Sequence, residues 1–341
     1  MRRAIAVSLV ISMAAIGSIG AAQDGARLSR DCRREIVKLC GLGNFRQCLM
    51  EKRDALSETC RGELMERARE RMAQPGQQAA ATGGQEISYG SDPLQKIDFH
   101  AAKGSGKAPL LIFVHGGGWQ RGDKGNATSA HLVPHYTAAG YAVASVNYRL
   151  VPQATVEQQA ADVAQAVAQL RNDAARLGVD PARIVLMGHS AGAHLVALVG
   201  TDPQYLRAAG LGLDALRGVI PNDGAAYDVA AQMKDGPAVM QKTYAQVFGT
   251  DAARQRALSP TLQAAAPNAP AFLLIHVQRS DGVRQAAALA DALKRAGTKV
   301  EIGSFPGEGL QGHMQINREL GDPSYPATPV VDAWLKTVFA D

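Results

Sequence analysis

The sequence predicts an α/β fold with a mostly parallel central sheet flanked by helices, preceded by a small disulfide-bonded helical hairpin. Three observations carry this reading. From Glu86 onward, short apolar runs of strand type alternate with stretches of helical periodicity. The run Leu110–Val114 is apolar without alternation, as strands buried on both faces are. All four cysteines fall at 32, 40, 48 and 60, ahead of the low-complexity stretch 73–85. Of the 341 residues, 46% are hydrophobic and 20% charged, so a packed core is expected and disorder is not the default.

The chain opens Met1-Arg2-Arg3, then runs apolar and small from Ala4 to Gly20, with Ala21-Ala22 following. A basic start, a short apolar stretch and a small-residue end describe a secretory signal peptide over 1–22, with cleavage expected before Gln23. The run is short for a spanning helix, and no later stretch is apolar enough to span, so no transmembrane segment is expected in the mature chain. The net charge of +5 falls to +3 once Arg2 and Arg3 leave. Residues 23–74, with 12 Lys/Arg and 9 Asp/Glu, account for all of it. The remainder is neutral and carries no basic stripe, which excludes a nucleic-acid partner. The expected location is secreted or periplasmic.

Residues 31–40 and 46–72 read as helices separated by Gly41-Leu42-Gly43-Asn44, making 23–72 a helical hairpin. Four cysteines in an exported chain imply disulfides with three possible connectivities. A hairpin favours the nested one, Cys40–Cys48 across the turn and Cys32–Cys60 further down. The cysteine spacings of 8, 8 and 12, with no histidine in the segment, do not suit zinc, and no metal is expected. Residues 73–85 read as a flexible linker, leaving 86–341 as the second domain.

In that domain the expected strands are Lys96–His100, Leu110–Val114, Ala142–Val146, Ile184–Met187, Arg217–Ile220, Ala271–Val277 and Lys299–Phe305. The clearest helical patterns are Val156–Leu177 and Val283–Ala296, the second closed by Gly297 as a C-terminal cap.

The chain's chemistry gathers on Gly188-His189-Ser190-Ala191-Gly192. A strand-type run, Ile184–Met187, precedes this G-x-S-x-G, and a helix former run, Ala193–Val199, follows it. Strand, tight turn and buried helix make a nucleophile elbow, in which small neighbours let the serine adopt a strained backbone. Upstream, His115-Gly116-Gly117-Gly118-Trp119 follows a strand directly. Glycines there let backbone N–H groups face a developing oxyanion. Gly117 and Gly118 are the expected donors, with Ala191 N–H after the nucleophile, each worth about 3 kcal/mol in such sites. Elbow logic places an acid and then a histidine later in the chain. Of eight histidines only His313 follows the last strand, in a stretch read as a loop, and it is the expected base. His115, His189, His194 and His276 read as structural. For the acid, Asp281 lies just past the penultimate strand and is preferred over Asp223, which follows an earlier strand, and Asp291, inside a helix. The triad expected is therefore Ser190, Asp281 and His313, with no cofactor.

With these motifs, residues 86–341 resemble the α/β-hydrolase fold, and within it the hormone-sensitive-lipase-like carboxylesterases and the bifunctional feruloyl and acetyl-xylan esterase type. Tyr89–Pro93, His115–Trp119, Asn147–Leu150, Gly188–Gly192 and Gly312–Asn317 carry the resemblance. It implies a serine ester hydrolase for a small-molecule ester, and a structural Asp162 paired with Arg149. The stretch Asp281-Gly282-Val283-Arg284 departs from the family, which usually has proline or valine soon after the acid. His115–Gln120 with Gly122 and Lys124, and Gly188–Leu195, are also similar to kynurenine formamidase, which implies N-formyl amide hydrolysis as the alternative. Some domains of this fold are non-catalytic binding modules, but these typically lose the serine, the histidine or the oxyanion glycines, and this chain keeps all three. The cysteine segment resembles the cysteine-rich repeat of a Golgi apparatus membrane protein, which implies a fold and no activity; docking to a cell-envelope or polymer partner is the role expected of it. Short-chain or soluble aryl esters are the expected substrates. Trp119 is expected to wall the pocket, with Tyr227, Met233, Met240, Tyr244 and Phe248 supplying its rim.

Overall fold

The computed structural model describes residues 28–40, 55–72, 84–104, 106–128, 130–265 and 267–340. The chain divides into two units, 1–74 and 75–341. The expected signal segment 1–22, the residue Cys48 with its expected bond to Cys40, and most of the expected linker lie outside the described residues.

In the first unit, α1 (Arg30–Cys40) and α2 (Glu58–Met72) are joined by the Cys32–Cys60 disulfide, Cα atoms 4.9 Å apart. Ile36 and Leu56 are buried with the two cysteines. Of the helix expected over 46–72, residues 46–54 lie outside the described residues. Ser57 caps Glu58–Met72: its Oγ accepts from Cys60 N at 3.2 Å and donates to Glu35 at 2.7 Å.

The second unit is built on eight strands: β1 (Gln85–Ser88), β2 (Lys96–His100), β3 (Ala108–Val114), β4 (Ala142–Val146), β5 (Val179–His189), β6 (Gly218–Asn222), β7 (Ala271–Val277) and β8 (Lys299–Phe305). They form one sheet in the order β1-β2-β4-β3-β5-β6-β7-β8. β1 and β2 pair antiparallel, as do β2 and β4, and all other pairs are parallel. β1, absent from the expected strands, begins within the stretch that reads as linker.

Side chains two apart point to one face, and the core follows that period. Leu110, Ile112, Leu186, Val219 and Phe272 share one apolar cluster, while Leu111, Phe113, Met187, Ile220 and Leu273 share another. Three helices contribute to the second cluster: α3 (Leu132–Ala138) through Leu132 and Tyr136, and two late helices described below. The first cluster takes in α4 (Val156–Asn172), capped by a reciprocal Thr155–Gln158 box, and α5 (Ala191–Thr201), buried along its whole length. Asp173 closes α4 before a short helical turn at Ala174–Leu177, which splits the single helix expected there.

Between β6 and β7 lie α6 (Val229–Asp235) and α7 (Gln241–Phe248). Then come α8 (Ser280–Arg295), α9 (Gly309–Glu319) and α10 (Ala327–Ala340), the last two covering the second face with Ile316, Val331 and Trp334. Gly297, at φ +76, closes α8 as expected, with Thr298 N reaching back to Leu293 O at 3.0 Å. No described helix is long and apolar enough to cross a membrane.

Candidate active site

The parallel strands β3, β5, β6 and β7 deliver their C-terminal ends side by side. β5 ends at His189 and α5 begins at Ala191, so Ser190 makes the whole reversal alone. Its backbone sits at φ 57, ψ −118, a region that costs a non-glycine residue roughly 1–3 kcal/mol. The serine is held there by its N–H, which donates to Asn222 O at 3.0 Å. Two glycines make the crossing possible. A Cβ on Gly188 would strike the Gly192 carbonyl, and one on Gly192 would strike the carbonyls of Val114 and His115. The glycine turn after β3 is equally close: a Cβ on Gly116 would lie 2.9 Å from Ser190 Cβ.

That turn carries left-handed backbone at Gly117 (φ 116), Gly118 (φ 61) and Trp119 (φ 60). Its Gly117 carbonyl is turned toward Gln120 N and Arg121 N at 3.3 and 3.2 Å. Among the described residues, none accepts a hydrogen bond from the N–H of Gly117, Gly118 or Ala191. His115 anchors the turn. Its ring stacks on Tyr148 with centroids 4.3 Å apart, and Tyr148 Oη donates to His115 O at 3.0 Å. Burial holds its pKa down at about 4, so the ring is neutral, and Nδ1, 2.7 Å from the Gly116 carbonyl, must carry the proton.

Trp119 departs from its expected place as a pocket wall. It is 3% exposed, and its indole is edge-on to His194, Tyr244 and Phe248. The expected rim residues Tyr227, Tyr244 and Phe248 are likewise buried in the core. What approaches the glycine turn from the cap segment is Met240 and Thr243, 3.7 and 3.5 Å from where a Cβ on Gly118 would stand.

His313 meets the serine. Its Nε2 is 3.0 Å from Ser190 Oγ. It stands in α9 rather than in a loop; the glycines of Gly-Leu-Gln-Gly hide a helix whose turn is closed by Gly312 N on Glu308 O at 2.8 Å. A residue that reads as merely structural, His189, supports it. His189 Nε2 lies 2.9 Å from the His313 carbonyl, and the two rings are 4.5 Å apart. Burial, then the neighbouring His313, hold His189 down at about 3, so it stays neutral and donates from Nε2 to that carbonyl.

The acid on His313 is Asp223, not Asp281. Asp223 Oδ2 is 2.6 Å from His313 Nδ1. Both aspartates fit the order serine, acid, histidine, but their surroundings differ. Asp223 follows β6, the neighbour of β5, and its left-handed backbone (φ 45) turns the carboxylate to His313. Asp281 lies in the first turn of α8, where Arg279 Nη1 reaches both its oxygens at 3.1 Å and Gln232 Nε2 donates at 2.9 Å. Burial would raise the Asp223 pKa, but the hydrogen bond with His313 and the charge of Arg279 outweigh it and hold it at about 2. The site thus has an anionic acid, an imidazole whose Nδ1 is fixed by it, and a serine hydroxyl on Nε2. Such a chain can deprotonate the hydroxyl as it attacks an acyl carbon.

Other sequence expectations fall around this chain. Arg149 and Asp162 pair through three contacts, the shortest 2.7 Å, with Asp162 fully buried. His194 bridges Trp119 Nε1 and Leu258 O, and His276 Nδ1 lies 3.1 Å from Val277 O. Among the described residues one group could hold a cation, His131, Glu319 and Asp322. It is separate from the Ser190 chain, and its carboxylates already hold Arg318 and Ser324.

The family described as BD-FAE matches residues 97–215. Esterase LipC of Mycobacterium tuberculosis is 32% identical over 244 residues, 65% of this chain and 58% of LipC. The kynurenine formamidase of Drosophila melanogaster is 34% identical over 123 residues, 36% of this chain and 39% of that protein. The chain thus spans less than two thirds of the length of these curated relatives. Among solved structures, a truncated carbohydrate esterase from gut microbiota superposes with a TM-score of 0.62 at 22% identity, covering 75% of this chain and 95% of that one. The fold is that of the α/β-hydrolases, and proteins named as esterases are among those the chain is similar to.

Proposed function

We propose that the chain hydrolyses carboxylic esters through an acyl-enzyme formed on Ser190, with His313 as base and Asp223 as acid. The observation that carries this is the unbroken run Ser190 Oγ, His313 Nε2, His313 Nδ1, Asp223 Oδ2, at 3.0 and 2.6 Å. Ser190 Oγ attacks the acyl carbon and its proton passes to His313 Nε2. The tetrahedral oxygen takes hydrogen bonds from the N–H groups of Ala191, Gly117 and Gly118. His313 returns the proton to the leaving alcohol, and water then cleaves the acyl-enzyme by the same steps in reverse. Asp223 keeps the proton of the resting imidazole on Nδ1, so that Nε2 is free to accept. No step calls for a cofactor.

Short-chain or soluble aryl esters are the proposed substrates, with Met240 and Thr243 lying beside Gly118. Hydrolysis of p-nitrophenyl acetate, butyrate and octanoate by the protein and by Ser190→Ala tests the reading. Turnover and fluorophosphonate labelling that both vanish in the variant support it; equal rates in the two proteins would overturn it. The formamidase similarity favours a second reading, N-formyl amide hydrolysis by the same residues. N-formylkynurenine cleaved faster than every ester would select it. A binding module without activity would leave Ser190 unlabelled. The Cys32–Cys60 disulfide supports an oxidising compartment, secreted or periplasmic, and envelope docking is proposed as the hairpin's role. Unchanged envelope association after deletion of 23–74 would end that last idea.

A further inference from the structure

Resting on the triad reading above, we propose that Arg279 is a positioning residue of the site, holding Asp223 in place, and that Asp281 is its counter-charge, the pair setting the pH at which His313 becomes a free base.

Arg279 uses every face of its guanidinium on this task. Nε donates to Asp223 Oδ2 at 3.0 Å, the same oxygen that meets His313 Nδ1. Nη2 donates to the backbone carbonyls of Asp223 and Gly224, each at 3.2 Å. Nη1 takes the two oxygens of Asp281 at 3.1 Å. One planar fork thus grips both the side chain and the backbone of an aspartate whose φ of 45 is sparsely populated. Lysine, a single point of charge, could not reach all five acceptor oxygens.

The electrostatic consequence follows from the shared oxygen. Asp223 alone would stabilise imidazolium strongly. A guanidinium on the same carboxylate opposes a second cation at His313, and Asp281, fixed by Gln232, partly offsets the guanidinium. The groups facing this chain are few. His189 lies against the His313 ring from the end of β5 and stays neutral to about pH 3. Tyr227 and Tyr325 face Asp223 and are held protonated by burial. Ser190 contributes no charge. Among the described residues, the charges linked to His313 by hydrogen bonds through this chain are Asp223, Arg279 and Asp281.

The two flanking charges have opposite signs, so their removal moves His313 in opposite directions. The His313 imidazole is titrated by NMR in the full chain, its signal identified by its loss in His313→Asn, beside the pH dependence of fluorophosphonate labelling at Ser190. Arg279→Gln is expected to raise the midpoint by about one pH unit, and Asp281→Asn to lower it by about half a unit. Arg279→Lys keeps the charge and is expected to leave the midpoint within about 0.3 unit, while labelling at the optimum slows about tenfold because Asp223 is less firmly held. Midpoints for Arg279→Gln and Asp281→Asn that match the parent, or move the same way, overturn the proposal. Should Arg279→Gln fail to fold, Asp281→Asn decides, since it keeps Arg279 on Asp223; an unmoved midpoint there overturns the proposal. Absence of labelling in the parent protein would refute the hydrolase reading, and the titration would still decide the role of Arg279.

Discussion

Replacing Asp223 by Asn tests the assignment of the acid most directly. The carboxylate is fully buried and 2.6 Å from His313 Nδ1, so its bond to the imidazole is short and charge-assisted. When Ser190 loses its proton, His313 becomes a cation beside this anion. At an effective dielectric near 20, two unit charges about 4 Å apart attract by about 4 kcal/mol. Losing that attraction in the transition state alone slows the reaction by about a thousandfold. An asparagine amide can also donate to Nδ1, which moves the imidazole proton to Nε2 and blocks it as a base; a further factor of about ten follows. The expected fall in kcat/KM for p-nitrophenyl butyrate is thus about 10³ to 10⁴. Asp281→Asn should lose less than about tenfold, because among the described residues its side chain bonds to Arg279 and Gln232 and not to His313. Both variants keep Arg279 paired with one carboxylate, and thermal melts verify that both are folded. A folded Asp281→Asn that loses more activity than Asp223→Asn would refute the reasoning and return the acid to the loop after β7.

Three further outcomes follow from the same geometry. Ser190→Gly removes the strain of φ 57 and should raise stability by about 1 kcal/mol while abolishing turnover; a lower midpoint in thermal unfolding would show the elbow is not strained. Gly192→Ala puts a methyl group into the carbonyls of Val114 and His115 and should destabilise by about 2 kcal/mol or more, with loss of serine labelling; parent-like stability and labelling would contradict the close crossing. Asp223 titrates at about 2 in the fold against 3.8 unperturbed, so its contribution to stability, about 2 to 3 kcal/mol, is fully present above pH 4 and lost as pH falls through 2. Urea titrations between pH 5 and 2 should show this loss in the parent and a smaller one in Asp223→Asn; parallel curves would remove the linkage.

What could be read from the sequence and what could not divide along a physical line. Local patterns mark the strands β2, β4, β7 and β8 to the residue, and the small residues of the elbow; for β4 and β7 the reason is an apolar run buried on two faces, for the elbow glycines where carbonyls crowd. The acid was not local. Asp223 and Asp281 both follow strands and precede His313, and only the sheet order, which sets β6 beside the serine strand, tells them apart. The helix carrying His313 was hidden by its own glycines, whose low propensity is overridden by packing of Ile316 against the core. His189 reads as a bystander because its hydrogen bond crosses 124 residues of chain. Arg279 was invisible for the same reason: its role exists only once β6 and β7 lie side by side and bring Asp223 to its guanidinium. The aspartate that sequence position favours as the acid therefore still belongs to the site's electrostatics, one charge removed. On the proposed reading it neutralises the cation that grips Asp223, and a change at Asp281 should be felt at His313 as a shift in pH dependence before it is felt as a loss of rate.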